Sequence, residues 1–135
     1  MPNYWLMKTE PSVYSYDDLV REKKTSWTGV TNNAALKHMR SMAKGDLAFI
    51  YHSGDEKSVI GIAEIVSQPY SDPAQKDPKL ITIDIKPKSK LSHPVTLASI
   101  KAEKRFADFH LVRISRLSVM PVTKEIWDAI LKMGK

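Results

Sequence analysis

Gly45-Asp46-Leu47-Ala48-Phe49-Ile50-Tyr51-His52, then Ser53-Gly54-Asp55-Glu56, then Val59-Ile60-Gly61-Ile62-Ala63-Glu64-Ile65-Val66, sets the fold class of this 135-residue chain. The first run is nearly continuous in apolar residues over the length of one strand, which predicts a buried strand. Ser53 to Glu56 is turn chemistry, and the chain returns through a second strand at 59–66. Gly61 inside that strand marks a bulge or a close approach of another group. Lys44-Gly45-Asp46, just before the pair, is a helix stop and turn.

Working outward toward the N-terminus, Tyr4-Trp5-Leu6-Met7-Lys8 reads as a first strand, ended by Thr9-Glu10-Pro11-Ser12 because proline lacks an amide donor and biases its predecessor away from helix. Ser15 with Asp18 three residues later forms a capping signature for a helix ending near Lys23. Lys24 to Thr31 is expected to be a loop carrying Trp27 and Gly29. Asn32 or Asn33 caps a second helix, in which Leu36, Met39 and Met42 or Ala43 fall at helical spacing. Toward the C-terminus, Pro69 to Pro78 reads as an irregular loop. Ile81, Ile83 and Ile85 alternate with Thr82, Asp84 and Lys86, the pattern of a strand buried on one face. His93 to Thr96 leads into a short helix at 97–102, Leu117 to Val122 is a last strand, and Thr123 caps a closing helix that aligns Ile126, Trp127, Ile130 and Leu131.

Clustered strands with tight turns, flanked by helices, predict an α/β protein of the α+β kind. The sheet is expected to be mixed and strongly curved, closing toward a small barrel. The regular alternation of a doubly wound sheet is missing. No repeat, linker or low-complexity tract divides the chain, so residues 1–135 are expected to form a single domain.

Composition narrows the function classes. Hydrophobic residues make up 42% and charged residues 27%, with no cysteine. Disulfides and thiolate metal sites are thereby excluded, and a reducing compartment such as the cytoplasm is expected. The apolar runs are too short to span a bilayer. A formal net charge of +6 favours anionic partners. The excess is uneven: Lys86, Lys88, Lys90, Lys101, Lys104 and Arg105 stand against Glu103 alone. That stretch is either a solvated face or a surface that meets phosphates, with Lys88, Lys90, Lys101, Lys104 and Arg105 as the candidate contacts.

Enzyme signatures are sparse. A Gly-rich phosphate loop, a nucleophile elbow and a His-Glu-x-x-His motif are all missing. The four histidines, His38, His52, His93 and His110, lack metal-ligand spacing. No metal and no cofactor are expected. Glu10 beside Lys8 is the one pair at a strand end suited to acid–base work, and a local ion pair explains it as well.

Aromatic and small polar residues are more informative. Trp27 in a polar segment either caps the core or walls a pocket. Gly29 would let a ligand come close, and Asn32 carries donors and an acceptor of the kind that reads a base edge. Tyr51-His52-Ser53 gathers stacking and hydrogen-bonding groups at one strand end. A ring and polar groups around a base, with cations outside for phosphates, is the chemistry of single-strand or flipped-base binding. Trp5 and Trp127 lie inside regular elements and are expected in the core.

These segments resemble the EVE domain, a member of the PUA-like superfamily. The resemblance rests on residues 4–12, on Trp27-Thr28-Gly29-Val30-Thr31-Asn32, and on Gly45-Asp46 with Phe49-Ile50-Tyr51-His52-Ser53. It continues through Gly61-Ile62-Ala63-Glu64 and Tyr70 with Asp72-Pro73, and ends with Arg116-Leu117-Ser118-Val119-Met120-Pro121-Val122. It implies a PUA-like pseudo-barrel flanked by helices, and a non-catalytic module that reads a modified nucleobase, a modified cytosine first, in DNA or RNA. Carried onto this chain, it nominates Trp27 and Tyr51 as ring contacts and Ser12, Asn32, His52 and Ser53 as polar contacts. Lys8 is nominated to meet a phosphate or a base edge. Two alternatives remain: a small enzyme acting on a nucleotide or RNA through Lys8, Glu10 and His52, and a protein-interaction module docking by its basic face. A monomer is the default expectation.

Overall fold

The computed structural model describes residues 3–28, 30–71, 80–114 and 116–135. Gly29 and residues 72–79, part of the expected irregular loop, lie outside the described residues.

The expected strands at 4–8 and 47–52 form β1 (Tyr4–Thr9) and β3 (Leu47–His52), which pair in parallel with Tyr4 opposite Leu47 and Thr9 opposite His52. β4 (Ser58–Ile65) returns antiparallel to β3 through the expected turn. Among the described residues the sheet runs β2-β6-β4-β3-β1-β7, with β2 at Thr25–Trp27, β6 at Ile81–Thr96 and β7 at Val119–Val122; β5 (Tyr70–Ser71) pairs with the start of β6. The helices are α1 (Tyr16–Glu22), α2 (Asn33–Arg40), α3 (Leu97–Lys101), α4 (His110–Arg113) and α5 (Lys124–Met133). Ser15, Asn32, Thr96 and Thr123 each cap a helix with a side-chain oxygen, which satisfies an amide the first turn leaves open.

Two expectations need correction. The segment at 24–31 is not wholly loop: Thr25 to Trp27 is an edge strand paired with Ile83–Ile85. The stretch 93–96, expected only as a lead-in to the helix, is also the end of β6, whose 16 residues exceed the usual strand length. Alternation ends after Ile85 because β6 carries two register shifts against β4. Such bulges increase twist and bend the strand. One long bent strand with β2 and β5 on one side and β4 on the other gives the strong curvature the sequence predicts.

Trp5 and Trp127 are core residues, as expected. Trp127 stacks on Phe49 at 3.9 Å and on Tyr4 at 4.6 Å between ring centroids. The buried Asp46 is the polar centre of that end of the sheet. Its Oδ1 accepts the Asn3 amide, and its Oδ2 accepts both the Trp5 indole N–H and the Ala43 amide, each at 3.0 Å. One carboxylate thus ties the start of β1 to the turn before β3.

Gly61 marks both a bulge and a close approach. A Cβ there would lie 2.7 Å from the Tyr16 ring. Tyr16 is fully buried, donates its hydroxyl to the Ile62 carbonyl at 2.8 Å, and has its amide held by His52 Nε2 at 3.0 Å. The first turn of α1 is thereby fixed on the middle of the sheet.

Two substitutions test this frame. Asp46→Ala strands the buried Trp5 indole N–H and takes the acceptor from two part-buried amides, and is expected to destabilise the fold by about 3 kcal/mol. Gly61→Ala overpacks the Tyr16 ring and should cost about 1–3 kcal/mol. Urea denaturation followed by tryptophan fluorescence measures both, and wild-type midpoints would contradict the assignment.

Candidate functional site

A cleft of about 610 Å³ opens where the end of β1 faces β2 across the curled sheet. Its lining comes from Lys8, Thr9 and Glu10, from the turn residues Val13 and Tyr14, from Thr25 to Thr28, from Val30, Thr31 and Asn32, and from Ser118. The volume lies in the range of small-molecule sites. β1 and β2 are far apart in strand order, so curvature alone brings them together.

The turn from Glu10 to Tyr14 forms one wall. The Glu10 carbonyl accepts both the Val13 and Tyr14 amides at 2.9 Å, and the Thr9 hydroxyl donates to the Tyr14 carbonyl at 2.7 Å. The Ser12 amide and hydroxyl reach the Glu10 carboxylate at 3.3 and 3.2 Å. Tyr14 meets Trp27 edge to face, 6.2 Å between centroids, a favoured aromatic geometry. Opposite, the Ser26 hydroxyl donates to Asp84 at 2.8 Å, and Asp84 also accepts the Tyr70 hydroxyl at 2.8 Å.

Of the residues nominated from the sequence, the structure brings Lys8, Trp27 and Asn32 to this cleft. Trp27 is only 9% exposed, so it both caps the core and contributes a wall. Asn32 spends its side-chain carbonyl on the Ala35 amide at 3.0 Å; the acceptor expected for a base edge serves the helix cap instead. Ser12, Tyr51, His52 and Ser53 are not among the lining residues. Tyr51 is buried beneath Lys8, whose ammonium sits 5.8 Å from its ring centroid. His52 uses both ring nitrogens, Nε2 on the Tyr16 amide and Nδ1 on Glu56 at 2.9 Å, which fixes the Nδ1–H tautomer. Ser53 closes the ends of β1 and β3 by donating its amide to the Thr9 carbonyl at 2.9 Å. Lys8, Glu10 and His52 therefore do not meet in one site.

None of Lys88, Lys90, Lys101, Lys104 and Arg105 lines the cleft. Lys88 and Lys90 lie on β6, where Lys90 pairs with Asp17 of α1 at 3.2 Å. Lys101 ends α3, while Lys104 and Arg105 occupy the following 3-10 turn, where Arg105 pairs with Glu103 at 2.8 Å. Sequence reasoning missed Tyr14, Thr25, Ser26, Thr31, Val13 and Ser118. For Thr25 and Ser26 a signal existed, since Thr25-Ser26-Trp27 alternates like a strand. Ser118 carried none, because only the packing of β7 beside β1 brings it near.

The family model of the EVE domain matches residues 3–133. The chain belongs to the EVE domain family. Mouse thymocyte nuclear protein 1 is 30% identical to this EVE domain over 98% of the chain and 74% of that protein. The structure of Rpa0253 from Rhodopseudomonas palustris superposes with a TM-score of 0.93 at 49% identity, covering 98% of this chain and 92% of that one. Human THYN1, in complex with 5-methylcytosine containing DNA, superposes with a TM-score of 0.89 at 28% identity, covering 98% of both chains. The PUA-like curled mixed sheet with flanking helices, expected from the sequence, is the fold found. No helix among the described residues is long and apolar enough to cross a membrane.

Burial holds the Lys8 ammonium of this EVE domain below the ordinary lysine value, because desolvation disfavours the charged form. Burial pushes the Tyr14 and Tyr51 phenols up, so both remain protonated donors. An anion in the cleft stabilises charged Lys8 and raises it again. Anion binding therefore takes up protons in the alkaline range. Affinity should fall as pH climbs through the lowered Lys8 value, before an exposed lysine would titrate. Lys8→Arg, which stays charged, should flatten that profile in anisotropy titrations run from neutral to alkaline pH. Equal profiles for the two proteins would refute the role of Lys8.

Proposed function

We propose that this EVE domain is a non-catalytic reader of a modified nucleobase in DNA or RNA, with a modified cytosine favoured. The observation that carries the reading is the cleft walled by Trp27 and Tyr14, with polar groups at its inner end. A heterocycle inserted there gains aromatic contact. Glu10 is a carboxylate acceptor suited to the cytosine amino group, and Lys8 a donor suited to its carbonyl or to a phosphate. Val30, the Thr31 methyl and the Trp27 edge offer apolar surface to a base methyl. Such a niche contributes about 1–3 kcal/mol of preference. The human relative with 5-methylcytosine containing DNA supports the choice of base.

The basic surface on β6 and α3 is assigned to the phosphates, with Lys88, Lys90, Lys101, Lys104 and Arg105 as contacts. Tyr51, His52 and Ser53 are assigned to support the cleft, Tyr51 as the floor beneath Lys8. His52 is engaged by Tyr16 and Glu56 instead of joining Lys8 and Glu10 at the cleft, which supports the non-catalytic reading over an enzyme. We treat residues 1–135 as one domain, acting as a monomer without metal or cofactor. A chain without cysteine fits a reducing compartment, and the cytoplasm is its proposed location.

Fluorescence anisotropy with oligonucleotides carrying cytosine or 5-methylcytosine tests the reading. The methylated strand should bind more tightly, and affinity should fall as salt rises. Trp27→Ala should lose about 1–3 kcal/mol of binding, with Trp27→Phe retaining most of it. Because Trp27 supports the core, each variant is first shown to unfold cooperatively. A folded Trp27→Ala protein that binds like wild type overturns the reading, as does a wild-type protein that binds no oligonucleotide.

A further inference from the structure

Val13 is 81% exposed, more than any other large hydrophobic among the described residues, and it stands on the lining of the cleft. An isolated exposed valine on a loose loop would mean nothing. This one is held by a turn braced at several points. The Glu10 carbonyl binds its amide and that of Tyr14, Thr9 grips the Tyr14 carbonyl, and Ser12 grips the Glu10 carboxylate. A Cβ on Gly54, whose φ is +74°, would run into that same carboxylate, so the β3–β4 turn packs directly against it. Pro11 precedes with a fixed φ, and a β-branched side chain has little χ1 freedom to lose. The result is a stiff apolar point beside an opening sized for a heterocycle.

We propose that Val13 is a wedge that enters the base stack of duplex DNA and fills the gap left when the target nucleotide rotates into the cleft. The inference rests on the base-reading function and extends it from single strands to duplexes. A base cannot reach the Trp27 wall while stacked in a helix. Extruding it leaves a void flanked by two base faces, and an apolar side chain inserted there replaces part of the lost stacking. Val13 lies one residue from Tyr14, so the groups that receive the base and the group that fills its place share one rigid turn.

The test compares Val13→Ala and Val13→Gly with wild type on the same 5-methylcytosine sequence as a single strand and as a duplex. Since Val13 is exposed, both variants should melt near the wild-type temperature. Duplex affinity should fall about tenfold further than single-strand affinity in Val13→Gly, the loss of roughly one stacking contact. A 2-aminopurine next to the methylated base should brighten on binding of wild type and brighten less with the variants. Equal effects on both substrates, or none on either, overturn the wedge while leaving the reader intact. Failure of wild type to bind either substrate removes the base-reading function itself, and the wedge with it.

Discussion

The contact between the Tyr16 ring and the backbone of Gly61 decides where everything around the cleft can stand. Only a residue without a side chain lets an aromatic ring lie flat against the centre of β4. The ring is locked from both ends, by its hydroxyl on Ile62 and by its amide on His52. Because Tyr16 opens α1, this lock also positions the turn that precedes the helix. Glu10, Val13 and Tyr14 inherit their places from it. A histidine that sequence reasoning offered as a ligand contact turns out to be a structural acceptor, and it matters to the site through the tyrosine it holds.

The same arrangement explains what could be read from the sequence. β1, β3, β4, the three longer helices and their caps were legible because each obeys a local rule: periodicity, a capping side chain or a stop. Trp5 and Trp127 fell correctly into the core for the same reason. β6 was legible only up to Ile85, because its bulges break the period on which strand recognition depends. The cleft was partly legible. Trp27, Lys8 and Asn32, nominated from residue type and motif position, line it, whereas Tyr51, His52 and Ser53 do not. A strand end looks alike from either face in one dimension, and both faces of β3 are covered here: Tyr51 is buried by Lys8 on one side and His52 by Tyr16 on the other. Ser118 joins the site through the long-range packing of β7 beside β1, which no local pattern encodes.

The electrostatics of the molecule are layered. Of the exposed cations on β6, α3 and the following turn, Lys86, Lys90 and Arg105 lie within reach of Glu64, Asp17 and Glu103, and together these cations supply a diffuse, screened field. Lys8 is different: desolvated above the Tyr51 ring, it presents a charge whose attraction is less screened. Distant cations therefore raise the local concentration of a polyanion, and half-buried Lys8 at the cleft is placed to register a group that has entered it.

β1 lies between β3 and β7, with Tyr4 opposite both Leu47 and Val122. β1 thus leaves the ribosome well before β7, the strand that fills its second edge. Until residues 119–122 emerge, a nascent chain holds a strongly apolar strand with one bare flank, the kind of edge that recruits unwanted partners. Completion of the sheet is consequently a long-range event, and vectorial synthesis leaves β1 half-paired until β7 has been made.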